Sequence, residues 1–219
     1  MFRKIILLTL IILAMSLIVN RISGSGQEES APFCKIKNAV ITYEYYGLDK
    51  GTIKLMVKDN GSFVRREENR IMTSDDEKRE YKSFYLLTPQ YYYDVNVESN
   101  IAIRMKRPAN MDELITIHEI LYGEQAESLE TDDRYQKKKN ESVAGQACKV
   151  YHDKISATTY WIWENIKLKE ESLDWETKKP SGIRAVSVDL DPKFVKDIFE
   201  LPEDIEIIGG CLPDLIHQK

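Results

Sequence analysis

Between Ala39 and Lys106 apolar and polar residues alternate in six successive segments joined by short connections, and this pattern restricts the fold more than any other feature of the chain. A period of two places alternate side chains on opposite sides of an extended backbone, which marks half-buried strands. In the first segment Ala39, Ile41, Tyr43 and Tyr45 alternate with Val40, Thr42, Glu44 and Tyr46. In the second, Ile53, Leu55 and Val57 face one way and Thr52, Lys54 and Lys58 the other. Gly47–Gly51 supplies a hairpin loop between them, and Asn60-Gly61 supplies the positive-φ pair of a tight type I′ turn. The third segment, Ser62–Ile71, carries Arg65, Arg66, Glu67, Glu68 and Arg70, so it is expected to be exposed and near a sheet edge. A solvated loop over 72–80 leads to Tyr81–Leu87, Gln90–Val97 and Asn100–Lys106. Parallel neighbours would need crossovers of about a dozen residues, so the six strands form an antiparallel meander.

The period then changes. Asn110 with Glu113 resembles a capping box, and Met111, Leu114, Ile117 and Leu121 recur at helical spacing, which predicts one amphipathic helix over 111–122. Residues 123–144 are polar and read as a long loop or frayed helix end. Strands resume at Gln146–His152, Thr158–Glu164, Lys167–Ser172 and Gly182–Leu190. A short helical turn is expected over Lys193–Glu200, and no clear element from Asp204 onward. The fold class is therefore α+β, mainly antiparallel β.

Residues 1–26 read as an address: Arg3 and Lys4, then the apolar stretch Ile5–Val19, then the small polar run Arg21–Gly26. That is the layout of a signal peptide, cleaved after Gly26 or retained as an N-terminal anchor. Residues 27–219 then form a single domain, exported to the periplasm or cell envelope, and membrane contact would come only through residues 1–26 if they stay attached. Setting aside Arg3, Lys4 and Arg21 leaves 28 bases against 36 acids. An acidic body is a poor match for phosphate backbones, so nucleic acid is not an expected partner. In an oxidising compartment Cys34 and Cys211 are candidates for one disulfide tying the two ends of the fold together; three unpaired thiols are the alternative. Cys148, on a strand beside Val150, reads as a small buried hydrophobe.

The chain carries no G-x-S-x-G, H-E-x-x-H, phosphate loop or dinucleotide fingerprint, so no catalytic residue is assigned. Cys211, after Gly209-Gly210, has only His217 near it in sequence as a base, too little for a nucleophile. His118, His152 and His217 are scattered, which argues against a metal, and no cofactor is expected. Asp132-Asp133 with Glu130 lacks the spacing of a calcium loop.

The aromatic residues say more. Trp161 and Trp163 project from one face of their strand, Tyr160 and Ile162 from the other, so both faces must be covered. A closed hydrophobic core explains this without any function. A sharper reading is a curved sheet wrapped around the 111–122 helix, with Tyr43, Tyr45, Leu55, Tyr91, Tyr93, Ile103, Leu114, Ile117, Trp161 and Trp163 as candidates to line an apolar cavity.

The order of motifs also resembles a known group. The hairpin from Tyr46-Gly47 to Gly51-Thr52 precedes Gly61 and the charged strand with Arg65 and Glu68. Tyr91-Tyr92-Tyr93-Asp94 follows. Beyond the helix come Val143-Ala144-Gly145-Gln146-Ala147-Cys148-Lys149-Val150-Tyr151, Trp161-Ile162-Trp163 with Leu168-Lys169, and finally Phe199-Glu200-Leu201-Pro202. Over most of residues 36–205 this resembles exported bacterial proteins akin to the outer-membrane lipoprotein carrier and sorting proteins, the LolA/LolB-like superfamily. The resemblance implies a strongly curved, incomplete antiparallel β-barrel with a helix packed in its open side and an apolar hollow beneath. In the carriers that hollow receives acyl chains. The expected function is thus binding of a lipid or acyl chain, without catalysis. The alternatives are a non-enzymatic envelope module with a filled core that meets a protein partner, and a carboxylate-dependent hydrolase.

Overall fold

Twelve strands hydrogen-bond into one curved sheet whose two ends do not meet. In the computed structural model the described residues are 34–74, 77–107, 117, 119, 121–123, 126–174 and 177–209. The strands are β1 (Ala39–Tyr46), β2 (Lys50–Lys58), β3 (Phe63–Ser74), β4 (Glu77–Leu87), β5 (Tyr91–Asn96), β6 (Ile101–Lys106), β7 (Tyr135–Val143), β8 (Gln146–Asp153), β9 (Thr159–Trp163), β10 (Ile166–Leu173), β11 (Pro180–Asp189) and β12 (Glu206–Gly209). Their order across the sheet is β12-β6-β5-β4-β3-β2-β1-β11-β10-β9-β8-β7. Two antiparallel meanders are thus joined where β1 pairs with β11. Among the described residues one short helix is complete, α1 (Ala126–Thr131).

The first meander has the predicted strands, and its turns show why the chain reverses where it does. Gly51 has a φ of +138°, and a Cβ there would lie 2.0 Å from the Asn69 carbonyl oxygen on β3. Only glycine allows that approach. The β2–β3 connection is wider than the expected two-residue turn: Asp59, Asn60 and Gly61 all have positive φ, and the Ser62 amide donates to the Asp59 carbonyl at 3.1 Å. Ala144-Gly145 and Glu164-Asn165 are the pairs with positive φ at both central positions, joining β7 to β8 and β9 to β10.

Four expectations about strands are corrected. The charged β3 is not near an edge; it lies between β2 and β4, with most of its charged side chains half-buried. Its charges pair within the sheet instead, as Arg65 with Glu67 at 2.8 Å and Arg66 with Glu68 at 3.3 Å. The segment read as a loop over 72–80 is largely the far end of the β3–β4 hairpin, with Thr73 opposite Lys78 and Ser74 opposite Glu77. Residues 123–144 hold α1 and β7; β7 is polar on both faces (YQKKKNESV) and so carries no alternation to read. As a sheet edge it is rich in lysine, which discourages further pairing. The tail contains β12, which pairs with β6 in parallel, the single parallel pairing among the described strands.

The 190–205 segment reaches β6 by crossing one face of the sheet. Phe199, Leu201 and Ile205 pack there on Phe84, Leu86, Val95 and Ala102. In place of the short helical turn expected over Lys193–Glu200 there are tight turns, with Ile198 N donating to Val195 O and Glu200 N to Asp197 O. Arg65 holds this strap: its Nη1 donates to the carbonyls of Ile198 (3.1 Å) and Glu200 (3.3 Å), and its guanidinium lies 4.2 Å from the Phe84 ring centre.

Both faces of the β8–β9 pair are covered, as the aromatic pattern requires. Tyr151, Tyr160 and Ile162 pack against Ala126 and Leu129 of α1. Trp161 belongs to the large cluster on the other face, together with Val150, Cys148 and Leu168. Of the predicted 111–122 helix, residues Ile117, Glu119, Leu121 and Tyr122 are described and helical, and Ile117, Leu121 and Tyr122 are buried in that same cluster. Among the described residues no helix is long and apolar enough to cross a membrane.

Candidate functional site

The face that meets Ile117, Leu121 and Tyr122 is organised in rows across β1–β6, and the rows change from apolar to polar. The first row, Ala39–Val57–Val64–Leu87–Tyr92–Met105, is buried throughout. The next is Ile41–Leu55–Arg66–Tyr85–Asp94–Ile103, and the third is Tyr43–Ile53–Glu68–Ser83–Asn96–Ile101. An apolar bed under the helical stretch therefore passes into a polar margin on β3–β5. Half-buried Tyr45 and Tyr85 pack against the buried cluster on that side, and half-buried Trp163 packs against it from β9.

The cavity candidates divide between the two faces. Tyr43, Leu55, Ile117 and Trp161 share the buried cluster, each no more than 5 % exposed, with Tyr45 and Trp163 at its rim. Ile103 lies on this face and is half-buried. Tyr91 and Tyr93 point the other way: Tyr93 packs with Phe84 and Val95, and the two rings lie 6.0 Å apart. They share the parity of Val95, so a site including Trp161 could not also include them. Leu114 lies outside the described residues, as does Cys211 and with it the proposed disulfide. Cys34 is buried, its Sγ 3.3 Å from the Ile36 carbonyl oxygen, and burial pushes its thiol pKa up.

The polar margin holds the unusual chemistry. Tyr45 donates its hydroxyl to Glu68 Oε1, Glu68 is paired with Arg66, and Arg70 is paired with Asp49 at 2.9 Å through Nε. The Arg66 and Arg70 guanidinium groups lie 5.9 Å and 5.1 Å from the Tyr85 and Tyr45 rings. Tyr85 stacks on Tyr92 with ring centres 6.2 Å apart and planes at 15°. Burial raises the pKa of all three tyrosines, so their hydroxyls stay neutral.

Three groups in this margin have unused capacity. Ser83 is 3 % exposed and Tyr92 fully buried, yet neither Ser83 Oγ nor Tyr92 Oη has a hydrogen-bond partner. Asp94 makes no hydrogen bond or ion pair, and burial lifts its carboxyl from an ordinary 3.8 to about 6. Buried polar atoms are nearly always satisfied, and a half-buried lone carboxylate is costly, so the coincidence of three such groups on adjacent strands asks for a ligand. Sequence reading passed over them, although an aspartate on the Tyr92 parity, inside a strand, was a usable signal because Asp is depleted in strands.

Two other carboxylates, Glu130 and Asp153, are occupied. Glu130, grouped in sequence with Asp132-Asp133, receives the Tyr151 hydroxyl at 2.7 Å, Lys137 at 3.0 Å and Lys149 at 3.3 Å, and these donors pull its carboxyl down to about 2. Asp153 is enclosed by Arg134, Ser156 and the Ile155 amide, which hold it well below the usual carboxylate range. No group of three or more metal-ligating side chains occurs among the described residues. Open depressions among the described residues include one of about 410 Å³ beside Ile36, Trp163 and Leu190 and one of about 280 Å³ beside Thr52, Glu67 and Asn69.

No family model matches the chain, and no curated protein matches its sequence. Among solved structures it is similar to an uncharacterised conserved protein from Thermus thermophilus, at 8 % identity and a TM-score of 0.48, over 80 % of this chain and 92 % of that one. It is similar to MucB at 9 % identity and a TM-score of 0.46, over 81 % of this chain and 62 % of MucB. A MucA/MucB complex from Pseudomonas aeruginosa matches at 10 % identity and a TM-score of 0.43, over 78 % of this chain and 58 % of that one. Likeness at this level assigns neither an activity nor a partner.

Proposed function

We propose that this protein is an exported, non-enzymatic binding protein that takes an alkyl or acyl chain along the rim of its apolar bed, as the LolA-like resemblance of the sequence suggests. One observation carries the reading: a twelve-stranded sheet presents a continuous apolar bed whose border residues Tyr45 and Tyr85 remain half-buried beside a polar margin, with half-buried Trp163 packed against the bed from β9. An aliphatic chain laid along that rim gains about 0.8 kcal/mol for each methylene taken out of water, and it needs no charged anchor.

The test is a titration of the full chain with octanol, decanol and dodecanol, read by calorimetry and by native mass spectrometry. Each added pair of methylenes is expected to tighten binding by up to about tenfold. No binding, or binding independent of chain length, overturns the reading.

A second reading, an envelope module that meets a protein partner, is favoured by Ile207 and Ile208. Both are more than 40 % exposed on the edge strand β12.

A further inference from the structure

We propose that Asp94, Ser83 and Tyr92 form a head-group subsite for a primary ammonium, so that the ligand is an alkyl amine with its chain along the rim of the apolar bed. This rests on the chain-binding reading above and names the chemistry of the other end. The three residues lie on β4 and β5, on the face that carries the bed. Asp94 stands opposite Tyr85 and next to Tyr92 on the same strand face, and Ser83 is its diagonal neighbour across β4. Ser83, opposite Asn96, and Tyr92, opposite Leu87, thus flank Asp94 from its two sides, each with its Cα about 7–8 Å from that of Asp94.

The chemistry selects the ligand's charge. A primary ammonium has three N–H donors, and the site offers three acceptors not otherwise engaged: a carboxylate, Ser83 Oγ and Tyr92 Oη. Among the described residues, the charged and titratable groups around Asp94 are Arg66 and Glu68 from β3, Tyr81 and Tyr85 from β4 and Tyr92 from β5. Arg66 and Glu68 neutralise one another, and the tyrosines are neutral, so Asp94 leaves one negative charge without a counterion. A carboxylate or phosphate head would meet that charge and be repelled, whereas a cation supplies what the site lacks. Tyr85, half-buried and stacked on Tyr92, sits where the polar margin meets the bed, so a head on Asp94 directs its chain along the rim beside Tyr85.

The experiment compares decylammonium, decanol, decanoate and methylammonium, each below its micelle concentration, by calorimetry on the full chain at about pH 7.5, above the raised Asp94 pKa. Decylammonium is expected to bind about tenfold or more tightly than decanol, because hydrogen bonds to charged groups are worth more than neutral ones. Decanoate is expected to be the weakest of the three chains, and methylammonium to bind far more weakly than decylammonium. Asp94→Asn should erase the preference for ammonium and leave decanol unaffected. Glu203→Gln, the same charge change at an exposed position, should preserve the preference. If none of the chains binds, the chain-binding reading fails. If decanol binds but decylammonium is no tighter, or the preference survives Asp94→Asn, the head-group assignment alone is overturned.

Discussion

Replacing Tyr92 by phenylalanine should make the ligand-free protein more stable, although it deletes a polar group from a fully buried residue. The ring is enclosed by the apolar row and stacked on Tyr85, and phenylalanine retains those contacts. What is lost is a hydroxyl without a partner. Leaving a buried donor unsatisfied costs about 1–3 kcal/mol, so Tyr92→Phe should gain about 1–2 kcal/mol. For a domain of this size that corresponds to roughly 3–6 °C in Tm, within reach of differential scanning calorimetry. Urea unfolding should move its midpoint upward without changing the slope. The same variant should bind decylammonium more weakly, because the hydroxyl is one of the three acceptors. Gain of stability with loss of binding marks a group held unsatisfied for a ligand. A Tm that is unchanged or lower would refute the reasoning, since it would mean that the hydroxyl is satisfied in the free protein.

Other perturbations should act in directions the structure fixes. Asp94→Asn should stabilise the protein by about 1–2 kcal/mol near pH 7.5, after allowance for partial solvent screening of a half-buried group. Because the folded pKa is raised to about 6, the carboxyl favours folding below about pH 4 and loses that contribution as the pH rises through 6, so the variant's advantage should vanish in acid melts. Arg65→Ala removes two hydrogen bonds to the 198–200 carbonyls and should cost about 2 kcal/mol, with faster hydrogen exchange confined to the strap and β12. Trp161→Ala empties a 5 %-exposed site and breaks the 2.8 Å hydrogen bond to Glu141, which should cost about 3–5 kcal/mol in chemical denaturation. Gly182→Ala places a Cβ 2.0 Å from the Glu170 carbonyl oxygen at a φ of +155°, and should lower Tm by more than any of these.

Much of this architecture is written in side-chain alternation. The period of two is intact in β1, whereas β5 and β6 bury Tyr92 and Met105 on one face and Val95 and Ala102, beneath the 190–205 strap, on the other. The division of Trp161 and Trp163 from Tyr160 and Ile162 correctly required two separate covers, and both exist. The failures have physical causes. On β3 the charges were read as exposure, yet Arg66 and Glu68 compensate one another and Tyr45 on a half-buried face, which composition alone does not reveal. β7 and β12 take their form from pairing with β8 and β6, since neither buries a face of its own. Strands defined by a neighbour's free edge leave little trace in their own sequence. The polar margin needed the register: Ser83, Tyr92 and Asp94 become neighbours only once β4 and β5 are aligned.

Fluorescence quenching by a bromine-labelled decylamine tests the central claim most directly, because two of the three tryptophans, Trp161 and Trp163, lie at the bed and its rim. Saturable quenching that disappears in the Trp161→Phe, Trp163→Phe double variant, and is competed by unlabelled decylamine, is the expected result. Quenching that persists in that variant, or that never saturates, would place the chain somewhere other than this face.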